Sequence, residues 1–329
     1  MAKEKQWGIV QIWNETLTFG RDKREVIPRD YCWASELGKN HYERWLKMNG
    51  KKPDFDFPER VLRKFEAGNF FERIIGFVLM SAGILIYDNK PMEIPADADH
   101  LRISVRPDFV AGGKVDMRKV EEDIATNPLF KLMPTLGKIA EQIAIQCSKN
   151  HPEGLKKLVF EIKSINSLVF WAKKDYLKDA YPHHSLQCLA EMKATGLNEG
   201  RILYISKDDL TTAEFPIFIN DEKLNKMYED DVRAITKCIR EKVAPPKPDY
   251  VVFDKDKKLR FQFKTIKYVI EGCYVPNWEI GWSNYITQIT GFTGKTQEEV
   301  AKKWEESLKA EMKEKNDKLK EEFKNNLIK

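Results

Sequence analysis

At 329 residues the chain has length for one large domain or two modest ones, with a real core. Hydrophobic residues make up 42% and charged residues 33%, and no apolar run approaches the ~20 residues needed to span a bilayer, so a helical membrane protein is excluded as an expectation. The net charge, 56 − 51 = +5, permits nucleic-acid binding without demanding it. Five cysteines (Cys32, Cys147, Cys188, Cys238 and Cys273) show no CxxC spacing, and MAKEKQWGIV lacks the order of a secretory signal. An intracellular, reduced protein is expected.

In chain order, WGIVQIW reads as a strand and is followed by a charged loop. After Pro58, PERVLRKFEAGNFFERIIGFVLMSA carries apolar residues at helical spacing. ILIYDNK and LRISVRPDFV read as strands, the second ending at Pro107, with a turn at Gly112 and Gly113. Residues 114–154 predict a helical insertion, from VDMRKVEEDI to LGKIAEQIAIQ. Next come the strand LVFEIKS, a helix around HHSLQCLAEMKATG closed by Gly196, and the strands GRILYISKDD and EFPIFIND. DEKLNKMYEDDVRAITKCIREKV is a long amphipathic helix stopped by Pro245–Pro246. PDYVVFDKDKKLRFQFK predicts a hairpin, and the last thirty or so residues a solvated or docked helix around Val300, Trp304, Leu308 and Met312. The order predicts an α/β fold with a central mixed sheet flanked by helices. Residues 1–245 would form the core with its insertion, and 246–329 a C-terminal hairpin and helix.

LVFEIKS carries the chemical question. Leu158, Phe160 and Ile162 fall on one face of the strand, and Val159, Glu161 and Lys163 on the other. A carboxylate and an ammonium on an apolar strand need partners. Asp108, directly after Pro107, reads as a turn cap or a metal ligand. Glu72 has Gly68 and Gly76 as its same-face helical neighbours, which leaves its flanks bare for a ligand or serves tight helix–sheet packing. Gln187 is an amide among Leu186, Leu189 and Ala190, either a cap or a site residue; His183 and His184 read as surface or phosphate-contacting groups. Together the set suits a hard divalent cation such as Mg²⁺ or Mn²⁺, which takes carboxylates, water and phosphate oxygens. Asp108 and Glu161 would supply carboxylates, the Ile162 carbonyl a neutral ligand and Glu72 an outer or second-metal contact, with Lys163 orienting or deprotonating water beside one or two ions.

RPDFV followed by FEIKS resembles the PD-(D/E)XK nuclease superfamily, in the branch of RecB-like domains and lambda-type exonucleases. Glu72 in GNFFERII matches that branch's helical acid, and Gln187 its helical glutamine. The resemblance covers roughly residues 30–245 and implies a restriction-endonuclease-like core. It also implies that Glu72, Asp108, Glu161, Lys163 and Gln187 carry the chemistry. The gap from Asp108 to Glu161, 161 − 108 = 53, is lengthened by the insertion. Glu191 stands where family members often carry a tyrosine. Many relatives hold an iron–sulfur cluster, but YVPNWEIGWSNYI lacks the clustered cysteines, so none is expected here.

The function implied is a Mg²⁺- or Mn²⁺-dependent DNA exonuclease in recombination, repair or phage replication, acting in the cytoplasm of a bacterial or phage-infected cell. A CRISPR-adaptation-type nuclease, a structure-specific endonuclease and an inactive DNA-binding scaffold are the alternatives. DNA contacts are assigned to Arg106, Lys173, Lys174, Lys178 and His183, with Trp171, Tyr176 and Tyr181 as stacking groups. The branch also includes ring-shaped homo-oligomers. A recombinase or single-strand-binding partner would meet the insertion or the C-terminal helix.

Overall fold

The structure, a computed structural model, describes residues 8–19, 26–167, 177–245, 253–255, 261–263, 266–267, 274–275 and 283–327. In chain order its elements begin α1 (Ile9–Thr18), β1 (Tyr31–Trp33), α2 (His41–Met48), α3 (Glu59–Ser81), β2 (Leu85–Asp88), β3 (Met92–Ile94), β4 (Arg102–Val105) and β5 (Phe109–Gly113). Next are α4 (Met117–Thr126), α5 (Pro128–Leu132), α6 (Pro134–Asn150), β6 (Leu155–Ile165), α7 (Pro182–Thr195), β7 (Glu199–Ser206), β8 (Thr212–Phe218) and α8 (Glu222–Arg240). The short strands β9 (Phe253–Lys255), β10 (Phe261–Phe263), β11 (Ile266–Lys267) and β12 (Tyr274–Val275) precede α9 (Ile286–Thr290) and α10 (Gln297–Leu327). This is an α/β fold with a five-stranded mixed sheet, β2-β5-β6-β7-β8, and a three-stranded one, β1-β4-β3. No described helix is long and apolar enough to cross a membrane.

The described residues group into two compact units. The first draws on Met1–Leu17, Tyr31–Leu37 and Glu59–Glu229, the second on Thr18–Asp30, Gly38–Pro58 and Asp230–Lys329. Segments 38–58 and 230–245 therefore group with the C-terminal residues rather than with the preceding core.

Strand β6 is the middle of the larger sheet in the first unit. It pairs antiparallel with β5 and parallel with β7, and α7 makes the crossover that a parallel pair requires. Its two faces separate by residue parity, as the alternation predicts. Ile162 joins Phe109 and Ile205 in a core closed by Phe71, Ile75 and Leu79 of α3. On the other face Val159 and Glu161 are fully buried, and Val159 pairs with Gly200. A Cβ at Gly200 would lie 2.5 Å from Cys188 Sγ, so the missing side chain lets α7 lie close against that face.

Gly76 does the same for α3. A Cβ there would stand 2.8 Å from Phe109 Cε1, and Phe109 is buried with its ring held by the core. Gly76→Ala gains about 1 kcal/mol of helix propensity but overpacks the contact at about 1–3 kcal/mol. We expect a net loss of up to about 2 kcal/mol in urea unfolding. A variant as stable as the parent would show that the α3–sheet contact yields freely.

Two sequence expectations are corrected. WGIVQIW was expected as a strand, yet Ile9–Thr18 is helical. Ile9, Ile12 and Trp13, like Val10, Trp13 and Leu17, follow helical i, i+3, i+4 spacing rather than strict alternation. LRISVRPDFV is not one run ending at Pro107. Arg106 and Pro107 separate β4 in the small sheet from β5 in the large one, so Asp108 stands at the opening of a strand. The Gly112–Gly113 pair closes that strand with positive φ at both residues, and a Cβ on Gly112 would sit 2.3 Å from the Lys156 carbonyl oxygen.

In the second unit Leu46, Met48, Val232, Ile235, Ile286 and Ile289 are buried. Val300, Trp304 and Leu308 form a buried i, i+4, i+8 stripe on α10, so the C-terminal helix is docked. Asp231 lies wholly buried between Arg44 and His41. Arg44 Nη1 donates to its two carboxylate oxygens at 2.9 and 2.7 Å, and His41 Nε2 lies 2.8 Å from Oδ1.

Candidate active site

The site forms where β5 begins beside the middle of β6. The last antiparallel pair in that direction is Phe109↔Phe160, so the Ile162 N–H lies beyond the paired register. The Asp108 carboxylate takes it: Ile162 N–H donates to Oδ2 at 2.7 Å. Asp108 is thus a cap of the ladder and, at the same time, a neighbour of Glu161. The Ile162 amide thereby ties Asp108 to β6.

Glu161 is fully buried and takes a hydrogen bond from the Lys163 ammonium through Oε1. Lys163 is half-buried, with 24% of its side-chain surface exposed. Helix α7 covers this face with an unbroken buried run from Ser185 to Met192. Gln187 Nε2 donates to Glu191 Oε1 at 3.1 Å, one helical turn on. The Glu191 carboxyl in turn lies against that of Glu161 and is fully buried. No described N–H group donates to Glu161 Oε2 or Glu191 Oε2, and the two carboxyls meet each other instead.

Three carboxyls and one ammonium in little water set the electrostatics. Burial, and then the Glu161 charge, push the Asp108 carboxyl well above its usual range. Burial and Glu161 do the same to Glu191. For Lys163 burial works to lower the value, but the Glu161 and Asp108 carboxylates outweigh it and the ammonium is held more firmly than usual. Burial first, and then Glu191, push the Cys188 thiol up, which makes it inert as a nucleophile.

Glu72 sits at the rim. It comes from α3, on the other side of the sheet, and its charge still reaches Asp108. Asn89 joins them: its N–H donates to the Asp108 carbonyl at 3.1 Å and its Nδ2 to Glu72 Oε1 at 2.8 Å. Asn89 holds φ 43°, a left-handed conformation that asparagine tolerates better than most residues. Gly76 packs on Phe109 and Gly68 lies against Ser164, so close helix–sheet approach is what these glycines provide.

At the start of α7, Tyr204, the β7 partner of Lys163, accepts from Tyr181 N–H at 3.0 Å and lies 2.7 Å from His184 Nδ1. The Tyr181 and His183 rings stack with centroids 5.9 Å apart. Both are half-buried, whereas Arg106 and Lys178 are exposed. Trp171, Lys173, Lys174, Tyr176 and Cys273 lie outside the described residues.

No group of three or more His, Cys, Asp or Glu side chains among the described residues stands ready as a metal cage. Lys163 and the Ile162 amide occupy the near oxygens of Glu161 and Asp108 instead. The donor set nevertheless suits a hard divalent ion: the ligands are all oxygen, negative charge exceeds positive, and two buried carboxylate oxygens have no donor. Glu191 and Asn89 are the residues the sequence reading left out of the site. The Gln187-x-x-x-Glu191 spacing, with both residues on one helical face, was the available signal for the first.

No family model matches the chain, and no curated protein matches it. Among solved structures, one described as the crystal structure of SSO0001 aligns over 69% of this chain and 86% of its own, at 13% identity and a TM-score of 0.39. At that level of likeness, the function is argued from the geometry of the site and the sequence pattern.

Proposed function

We propose that the chain is a divalent-metal-dependent DNA nuclease, acting as an exonuclease on phosphodiester bonds in recombination, repair or phage replication. The observation that carries the reading is the Asp108–Glu161–Lys163 cluster, in which two carboxyls, Glu161 fully buried and Asp108 half-buried, outnumber the one ammonium beside them. Asp108 and Glu161 would hold the Mg²⁺ or Mn²⁺, with Glu72 at the outer edge. A bound ion polarises the phosphate and stabilises the leaving oxygen.

Lys163 would orient the attacking water or take its proton, and offset phosphate charge. Water oxygen forms the new bond to phosphorus and gives up a proton, while the bond to the departing sugar oxygen breaks and that oxygen takes a proton from solvent. Gln187, tied to Glu191, braces the α7 wall of the site. Arg106 and Lys178 supply exposed charge for the DNA backbone, and Tyr181 with His183 a stacked pair beside the site.

End-labelled linear DNA and covalently closed circles, single- and double-stranded, are incubated with Mg²⁺, Mn²⁺ or EDTA. Metal-dependent loss of DNA with ends, absent in Asp108→Ala, is the expected result, and the label position gives polarity. Cutting of closed circles would make the enzyme an endonuclease. Binding without cleavage under every metal would overturn the proposal in favour of an inactive DNA-binding scaffold.

A further inference from the structure

We propose that Glu191 is a further cation-binding carboxylate of this site, so that the divalent ion is held from helix α7 as well as from the sheet. The inference rests on reading the cluster as a divalent-cation site and goes beyond it by adding a ligand. Glu191 is fully buried, and only Oε1 receives a donor, from Gln187 Nε2 at 3.1 Å. Its Oε2 and Glu161 Oε2 are both buried, and no N–H group among the described residues donates to either. The two carboxyls lie against each other. The ammonium beside them, Lys163, is already joined to Glu161 Oε1.

A helix that needed only to brace Gln187 would be served by an amide, which accepts the same hydrogen bond and brings no charge into the interior. A second acid against Glu161 adds like-charge repulsion and desolvation, costs that a buried polar group escapes only when partnered. A divalent cation taken up by the cluster supplies what both orphaned oxygens lack. Such local costs in a metal-free fold mark residues kept for binding rather than stability.

The structural and ligand roles predict opposite results. Thermal unfolding of the full chain is followed in EDTA and in graded MgCl₂ or MnCl₂, for wild type, Asp108→Asn, Glu191→Gln and Glu191→Leu. Mn²⁺ bound is counted by equilibrium dialysis. Binding to the native state alone raises Tm with ligand concentration. We expect wild type to rise with either ion and Asp108→Asn to lose the rise. Glu191→Gln should melt at or above wild type in EDTA and bind Mn²⁺ at least about 10-fold more weakly. Glu191→Leu removes the carboxylate by a second chemistry, and its dialysis result stands in if Glu191→Gln fails to fold. Unchanged Mn²⁺ binding in either Glu191 variant, with Asp108→Asn deficient, overturns this inference and leaves the nuclease reading intact. No Tm rise and no Mn²⁺ bound in wild type overturns both.

Discussion

Lys163→Met is expected to slow DNA cleavage by about 10²–10³-fold, the usual loss when a preorganised donor is taken from a water-excluded site. It should also destabilise the metal-free protein by about 3–5 kcal/mol, because Glu161 keeps its fully buried position and loses its counter-charge. The two effects have different causes and can be separated. Adding Glu161→Gln to Lys163→Met removes the stranded charge and should restore most of the stability, since a pair replaced together costs far less than a pair broken. Cleavage should stay lost in the double variant. Full activity in Lys163→Met would remove the ammonium from the reaction. Equal stability of wild type and the single variant would mean that Glu161 escapes its charge by taking up a proton.

The face assignment behind this prediction was legible in LVFEIKS because a strand leaves only two directions for a side chain. Glu161 and Lys163 had to share a side, and Ile162 had to join the opposite core. Helix α3, the insertion helices and the cap at Gly196 were equally legible, from period and punctuation. Asp108 was found as a polar group after a proline, but whether it ended or opened a strand depended on which sheet each half of LRISVRPDFV joined. That is a tertiary choice, invisible in the local pattern. Glu191 was missed for a similar reason. A glutamate on an amphipathic helix normally faces water, and only the burial of α7 from Ser185 to Met192 turns it inward. The short strand Tyr31–Trp33 and helix His41–Met48, which carries His41 and Arg44, went unread within a stretch expected as a charged loop. Their partner, Asp231, lies far along the chain.

Asp231→Ala should cost about 3–5 kcal/mol at neutral pH, since Arg44 and His41 would be left buried without their carboxylate. Acid titration gives this site a sign opposite to that of the acids around Lys163. Burial works to raise the Asp231 value, but Arg44 and then His41 outweigh it and hold the carboxyl below its usual range. A depressed carboxylate contributes stability that is present above the unfolded value of about 3.9 and lost as pH falls through the folded value. Asp108 and Glu191 are raised, so the folded state binds their protons first. Their contribution is present at low pH and is lost as pH rises from about 4 through the folded values. Urea midpoints measured in EDTA should therefore increase as pH drops from neutral toward about 5, and decrease again below about 4. Asp108→Asn should flatten the first limb and Asp231→Asn the second. If Asp231→Asn left the acid limb unchanged, the carboxylates responsible for acid unfolding would lie elsewhere, and the Arg44–Asp231 pair would hold the fold by packing rather than by charge.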